Sequence, residues 1–134
     1  MISNDLENIN ALPDILYRNT KHFPKKKFLF KKNKEGWTGK NYNEISKNVL
    51  TLAQSFVEKG IKKNDRVLLI SSNRIEWVEI DLAVMTIGGI TVPSFVTNNA
   101  KDNIYIIKNC EPKLIVFENY KTLITNKKIL KFFP

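Results

Sequence analysis

The chain has one cysteine and one histidine in 134 residues, and these two shortages exclude several kinds of chemistry. Cys110 has no partner for an internal disulfide and reads alone as a small hydrophobe. One thiol and one imidazole, His22, cannot build a tetrahedral nitrogen–sulfur metal site. His22 lies in a polar loop beside Phe23-Pro24, where a solvated side chain is the expectation. Glycine is scarce too, with five in all. Gly36-Trp37-Thr38-Gly39 and Gly88-Gly89 match neither a phosphate-cradling loop nor a dinucleotide fingerprint. Long apolar runs are missing: Val67–Ile70 has four residues, far below the roughly 20 of a membrane-spanning helix. The opening, MISNDLENIN, carries acids where a signal peptide carries basic residues followed by an apolar stretch. Together these shortages predict a soluble cytoplasmic protein.

Arginine is the next shortage. Of 22 basic residues only Arg18, Arg66 and Arg74 carry a guanidinium, although the net charge is +9. Precise reading of phosphate favours that planar fork over the diffuse ammonium of lysine, so no nucleic-acid partner is expected. The densest cluster, PKKKFLFKKNK (Pro24 to Lys34), interleaves aromatics with lysines as a single-strand binder does. The preferred reading is an edge strand with Phe28 and Phe30 pointing inward and lysines guarding the edge. A weak association with an anionic membrane surface stands beside it as a further expectation.

What is present is a regular alternation of elements. A short helix is predicted over about Leu12–Thr20, then a hairpin in which Phe28–Phe30 turns through Asn33-Lys34-Glu35-Gly36 into Trp37-Thr38. Asn41 and Glu44 have capping-box spacing. Behind them Ile45, Val49, Leu52 and Phe56 repeat at helical period, Ala53 and Val57 widen the stripe, and Gly60 stands at the C-terminal cap. Arg66–Ser71 is apolar without alternation, as a strand covered on both faces must be. Asn73 with Glu76 has the spacing of a second capping box. The helix from Arg74 to Ile87 is apolar around most of its circumference and is expected to be largely buried. Ile90–Val92 reads as a strand ended by Pro93. A third helix spans Ala100–Asn109 with Asn99 as cap and Ile104, Ile107 and Cys110 inward. Leu114–Phe117 is another buried strand, and the tail from Tyr120 is weakly helical. The fold class is α/β, a small hairpin followed by parallel βαβ units. Val67–Ile70 and Leu114–Phe117 are expected to pair in parallel, with Trp77 buried against them.

Chemistry-bearing groups are few. Glu76, Glu79 and Asp81 read as a solvated acidic edge rather than an acid/base pair. Ser71-Ser72-Asn73 follows a strand and would offer hydroxyls and amides to a ligand at its carboxyl end, but helix capping already accounts for it. The reading assigns no catalytic, cofactor-binding or metal-binding residue.

One series of segments is more specific. Gly60-Ile61-Lys62-Lys63-Asn64-Asp65-Arg66-Val67, Ser72-Asn73-Arg74-Ile75-Glu76-Trp77 and Gly88-Gly89-Ile90-Thr91-Val92-Pro93 follow one another in order. They resemble the opening domain of the adenylate-forming enzymes, the AMP-forming acyl-CoA synthetases. Trp37-Thr38 and Tyr42-Asn43-Glu44-Ile45 resemble that superfamily's entry segment. Thr97-Asn98, Tyr105-Ile106-Ile107 and Lys113–Phe117 are similar to its next helix and strand. Asn64 stands where the family has glycine, and Gly89 where it has alanine. The likeness runs from about Leu12 to Asn119 and leans toward the long-chain fatty acid–CoA ligase branch. It implies a parent enzyme that uses ATP and Mg²⁺ to activate a fatty acid as an acyl-adenylate, then passes the acyl group to coenzyme A. The family's phosphate loop, adenine and ribose contacts and catalytic lysine belong further along such a chain. Residues 1–134 are therefore expected to be a truncated N-terminal subdomain, inactive alone, with the reading frame continuing past Pro134. The alternative is a stand-alone binding or scaffold domain of the same fold.

Overall fold

The structure, a computed structural model, describes residues 9–133. The acidic opening lies outside the described residues except for Ile9 and Asn10, and Pro134 lies outside them as well. Helix α1 (Leu12–His22) precedes an antiparallel hairpin of β1 (Lys27–Asn33) and β2 (Gly36–Asn41). Helix α2 (Tyr42–Glu58) follows, then β3 (Arg66–Ile70), α3 (Ile75–Thr86), β4 (Ile90–Ser94), α4 (Ala100–Cys110) and β5 (Leu114–Phe117). A short helix α5 (Tyr120–Thr125) and a 3₁₀ turn (Lys127–Phe132) end the described chain.

The sheet has the order β4-β3-β5, with both pairings parallel. Val67 lies beside Leu114 and Ile70 beside Phe117, as the non-alternating apolar runs predict. The central strand is closed on both faces. On one side Val67 packs with Ile45, Val49, Phe56, Leu82 and Val84, from α2 and α3. On the other, Leu68 and Ile70 meet Ile107 of α4 and Ile129 of the 3₁₀ turn. Each crossover helix thus covers a different face, which makes the unit doubly wound.

Local chemistry explains most boundaries. Asn41 and Glu44 form the expected reciprocal box at 2.9 and 2.7 Å, and Asn99 with Asp102 forms another at 3.0 and 3.3 Å. Gly60, at φ +83°, takes the left-handed position after α2. Asn64 also sits in that region, at φ 69°. This is why the position suits glycine, and asparagine is the side chain that tolerates it best. Asp65 caps the same turn, accepting from the Lys62 N–H at 2.8 Å.

Several expectations are corrected. Phe30 does not point inward: Leu29 is the hairpin residue that packs on the core, while Phe30 is 53% exposed. Phe28 reaches the core only through its stack on Tyr42, with ring centres 4.7 Å apart. An irregularity between Lys27 and Leu29 shifts the register and with it the side-chain alternation. The Asn73–Glu76 box does not form, because α3 starts one residue late, with Arg74 extended at its N-cap and no side-chain cap. Trp77 is half-buried and belongs to neither core cluster. Glu79 is no solvated edge: it is 4% exposed. Its Oε1 accepts from Lys40 Nζ at 2.8 Å and from Asn48 Nδ2 at 2.7 Å. Val57 does not widen the buried stripe of α2 but is exposed. Pro93 does not end its strand, which runs on to Ser94; β4 is an edge strand, where a missing N–H costs no ladder bond.

Candidate functional site

The carboxyl ends of the three parallel strands meet at one rim of the sheet. In doubly wound folds, ligands bind where successive crossovers leave for opposite faces. Here α3 leaves β3 for one face and α4 leaves β4 for the other, so the switch lies between the ends of β3 and β4. A cleft of about 300 Å³ occupies that position. Ser71, Ser72 and Asn73 wall it from β3, Pro93 to Thr97 wall it from β4, and Trp77 rises between them. A smaller hollow of about 90 Å³ lies on the other flank of Trp77, toward Phe117 and Glu118 of the β5 end. Trp77 is thus a partition between two hollows, which explains its half-burial.

The cleft is mostly apolar, with Trp77, Pro93, Phe95 and Val96 in its lining. Two of its serines are already engaged, and the charged groups of the rim, Arg74, Glu76 and Glu118, line the smaller hollow beside it. Ser71 Oγ donates to the Ser72 carbonyl at 3.0 Å. The Ser72 N–H, the amide best placed for an anion, donates to Glu118 Oε2 at 2.8 Å. Arg74 lies 2.8 Å from Glu76 and 3.7 Å from Glu118. The Arg74 hydrogen bond, first among several causes, holds the Glu76 carboxyl down at about 2, against an ordinary 4.5. Hydrogen bonds from Ser72 lower the Glu118 carboxyl as well.

This arrangement does not fit a triphosphate. The guanidinium of Arg74 is neutralised by two carboxylates, and the Ser72 amide is taken by one of them. Nor does any group of three or more His, Cys, Asp or Glu stand together as metal ligands among the described residues. Burial, ahead of its other causes, pushes the Cys110 thiol up, away from a reactive thiolate.

The Arg74–Glu76 pair predicts a pH dependence. A carboxyl lowered in the fold contributes stability above its unfolded value and loses it as pH falls toward 2. Both side chains are about a third to a half exposed, so solvent screening limits the contribution to about 0.5–1 kcal/mol. Arg74→Met is expected to lose that amount near neutral pH and to match the wild type near pH 2, measured by urea midpoints. An equal loss at both pH values would break the link.

The sequence singled out Ser71-Ser72-Asn73 at this rim and then set it aside as a cap. The structure removes the capping explanation and adds Phe95, Val96 and Glu118, which carried no sequence signal because each is brought in by tertiary pairing.

The unit superposes on solved adenylate-forming enzymes. The fatty acid AMP ligase of Legionella pneumophila matches with TM-score 0.78 and 22% identity, over 87% of this chain and 21% of that one. The anthranilate CoA ligase AuaEII matches with TM-score 0.82 and 20% identity, over 100% of this chain and 25% of that one. These likenesses are of fold. The sequence pattern of the family described as AMP-binding enzyme matches residues 16–132, and the chain belongs to that family. Long-chain-fatty-acid–CoA ligase ACSBG2 of Xenopus laevis is 30% identical over 103 residues, which is 77% of this chain and 14% of that protein. Long-chain-fatty-acid–CoA ligase FadD15 of Mycobacterium tuberculosis is 27% identical over 82 residues, 61% of this chain and 14% of its own length. The chain thus spans about one seventh of these curated relatives. No helix among the described residues is long and apolar enough to cross a membrane.

Proposed function

We propose that this chain is the N-terminal part of the AMP-binding domain of a long-chain fatty acid–CoA ligase and that it performs no catalysis alone. The parent reaction joins a fatty acid to coenzyme A, converting ATP to AMP and pyrophosphate with Mg²⁺. The contribution of these residues is a rigid parallel sheet and one wall of a crevice at its carboxyl rim. The observation that carries this reading is the occupied rim: Glu118 closes the Ser72 amide and, with Glu76, holds Arg74. Phosphate binding and proton transfer then fall to segments beyond residue 134. Pyrophosphate release by the isolated chain with palmitate, ATP, Mg²⁺ and coenzyme A is expected to stay at the blank, and calorimetry with ATP and Mg²⁺ to show no heat of binding. Turnover by the isolated chain overturns the reading.

The stand-alone alternative rests on a separate observation. Both faces of the central strand are covered from within this chain, so the sheet does not depend on further chain for its core. Cooperative unfolding of a monomer, with a small ligand found for the cleft of Ser71, Trp77 and Phe95, favours that alternative.

A further inference from the structure

The hairpin has two unlike faces. Leu29 packs on the core and Lys40 reaches Glu79, so those positions turn inward. The opposite face carries Phe30 across from Gly39 and Lys32 across from Trp37. A Cβ at Gly39 would lie 2.8 Å from Phe30 Cδ1, so glycine there is what lets the ring lie flat on the ribbon. Phe30 is 53% and Trp37 68% exposed. Lysine surrounds this pair: Lys31 and Lys32 flank the tip, Lys34 stands in the turn and Lys27 lies along Gly39. Glu35 is the one acid between Phe23 and Lys40. In the preceding loop the Lys26 ammonium stands 5.6 Å from the centre of the exposed Phe23 ring.

We propose that the tip and outward face of this hairpin dock on an anionic lipid bilayer, seating Phe30 and Trp37 at the level of the headgroups. The amphipathic indole of Trp37 settles at that depth, and the apolar ring of Phe30 enters the headgroup–acyl boundary beside it. Lysine stems lie along apolar surface while their ammonium groups stay among the phosphates. The arrangement favours a lipid surface over a single-stranded nucleic acid. A bound strand is tracked along one groove, whereas the ammonium groups stand on both faces and in the turn, as suits a flat surface met end-on. Guanidinium, the group that reads phosphate bidentately, is absent between residues 19 and 65. The docking is independent of the ligase reading, because its test involves neither nucleotide nor acyl substrate.

The test is flotation of the 134-residue chain with phosphatidylcholine vesicles, with and without about 30% phosphatidylglycerol. Binding is expected to the anionic vesicles, weakening between about 0.05 and 0.5 M salt. Each lysine near such a surface is worth about fivefold, so Lys31→Gln, Lys32→Gln and Lys34→Gln together should weaken partitioning by about 100-fold. Phe30→Ser with Trp37→Ser should weaken it by at least about tenfold while the melting curve by circular dichroism stays unchanged. Trp emission should shift to the blue on anionic vesicles. Trp37→Phe should abolish the shift and keep most of the binding, a readout that does not rely on the multiple variants folding. The proposal is overturned by equal flotation with neutral vesicles, by lipid binding that the lysine variant retains in full, or by a blue shift that persists in Trp37→Phe. It is overturned equally if the chain ignores vesicles and instead retains a thymidine oligonucleotide in a hairpin-dependent way.

Discussion

Leu68→Ala is expected to destabilise the fold by about 3–5 kcal/mol, the cost of a large deletion where neighbours cannot collapse. Leu68 is fully buried on the central strand and packs against Ile107 and Ile129. Strand neighbours hold its backbone on both sides, Val92 on β4 and Ile115 on β5, so the cavity has no route to close. Urea unfolding should show a lower midpoint with an unchanged slope. Trp77→Ala, despite removing more atoms, should cost about 1–2 kcal/mol, since a half-buried ring already meets solvent on one side. The order of the two variants is the decisive outcome. A larger loss at Trp77 would place that ring in the core and contradict the partition between the two hollows.

The second large effect concerns the buried carboxylate. Lys40→Met is expected to cost about 2–3 kcal/mol. It leaves Glu79 with Asn48 but without its cation, and breaking a buried pair from one side strands a charge. The value sits below the usual cost of stranding a fully buried charge because Lys40 Nζ belongs to a side chain 36% exposed, which lets water take part. Glu79→Leu in the same background should restore much of the loss, as apolar replacement of a buried pair is often neutral. A double-mutant cycle on denaturant midpoints measures the coupling. Additive losses would show that Lys40 and Glu79 do not act on each other.

Periodicity made the frame of the fold legible. Val67–Ile70 and Leu114–Phe117 are apolar without alternation, and such runs become strands covered twice. The Asn41 and Asn99 caps were legible because each bond closes within three residues. What escaped was set by long-range pairing. The Lys27–Leu29 irregularity reversed which hairpin side chains face inward, and no local pattern announces a bulge. Glu79 read as solvent-facing because its partners, Lys40 and Asn48, come from two other elements. Ser94, Asn103 and Asn126 were unread for the same reason. They form a buried chain of amide and hydroxyl bonds at 2.7 and 2.8 Å that ties the C-terminal segment to α4 and β4. The candidate site was half legible: the resemblance marked the segment from Ser72 to Trp77, but Glu118, which takes its amide and is the second carboxylate on its guanidinium, comes from just past the end of β5.

The order of pairing in the sheet has a consequence for synthesis. Val67 and Leu114 are 47 positions apart (114 − 67), whereas Asn33 and Gly36 of the hairpin are three apart (36 − 33). Hairpins close in microseconds, so β1 and β2 can pair soon after both leave the ribosome. The central strand instead waits for its second neighbour through roughly 2–10 s of elongation. During that interval the flank of Val67–Ile70 that later receives β5 is open to wrong partners. The interval in which a nascent-chain chaperone has most to protect is therefore the emergence of residues 71–117 from the ribosome, after the apolar strand has come out and before its last neighbour has.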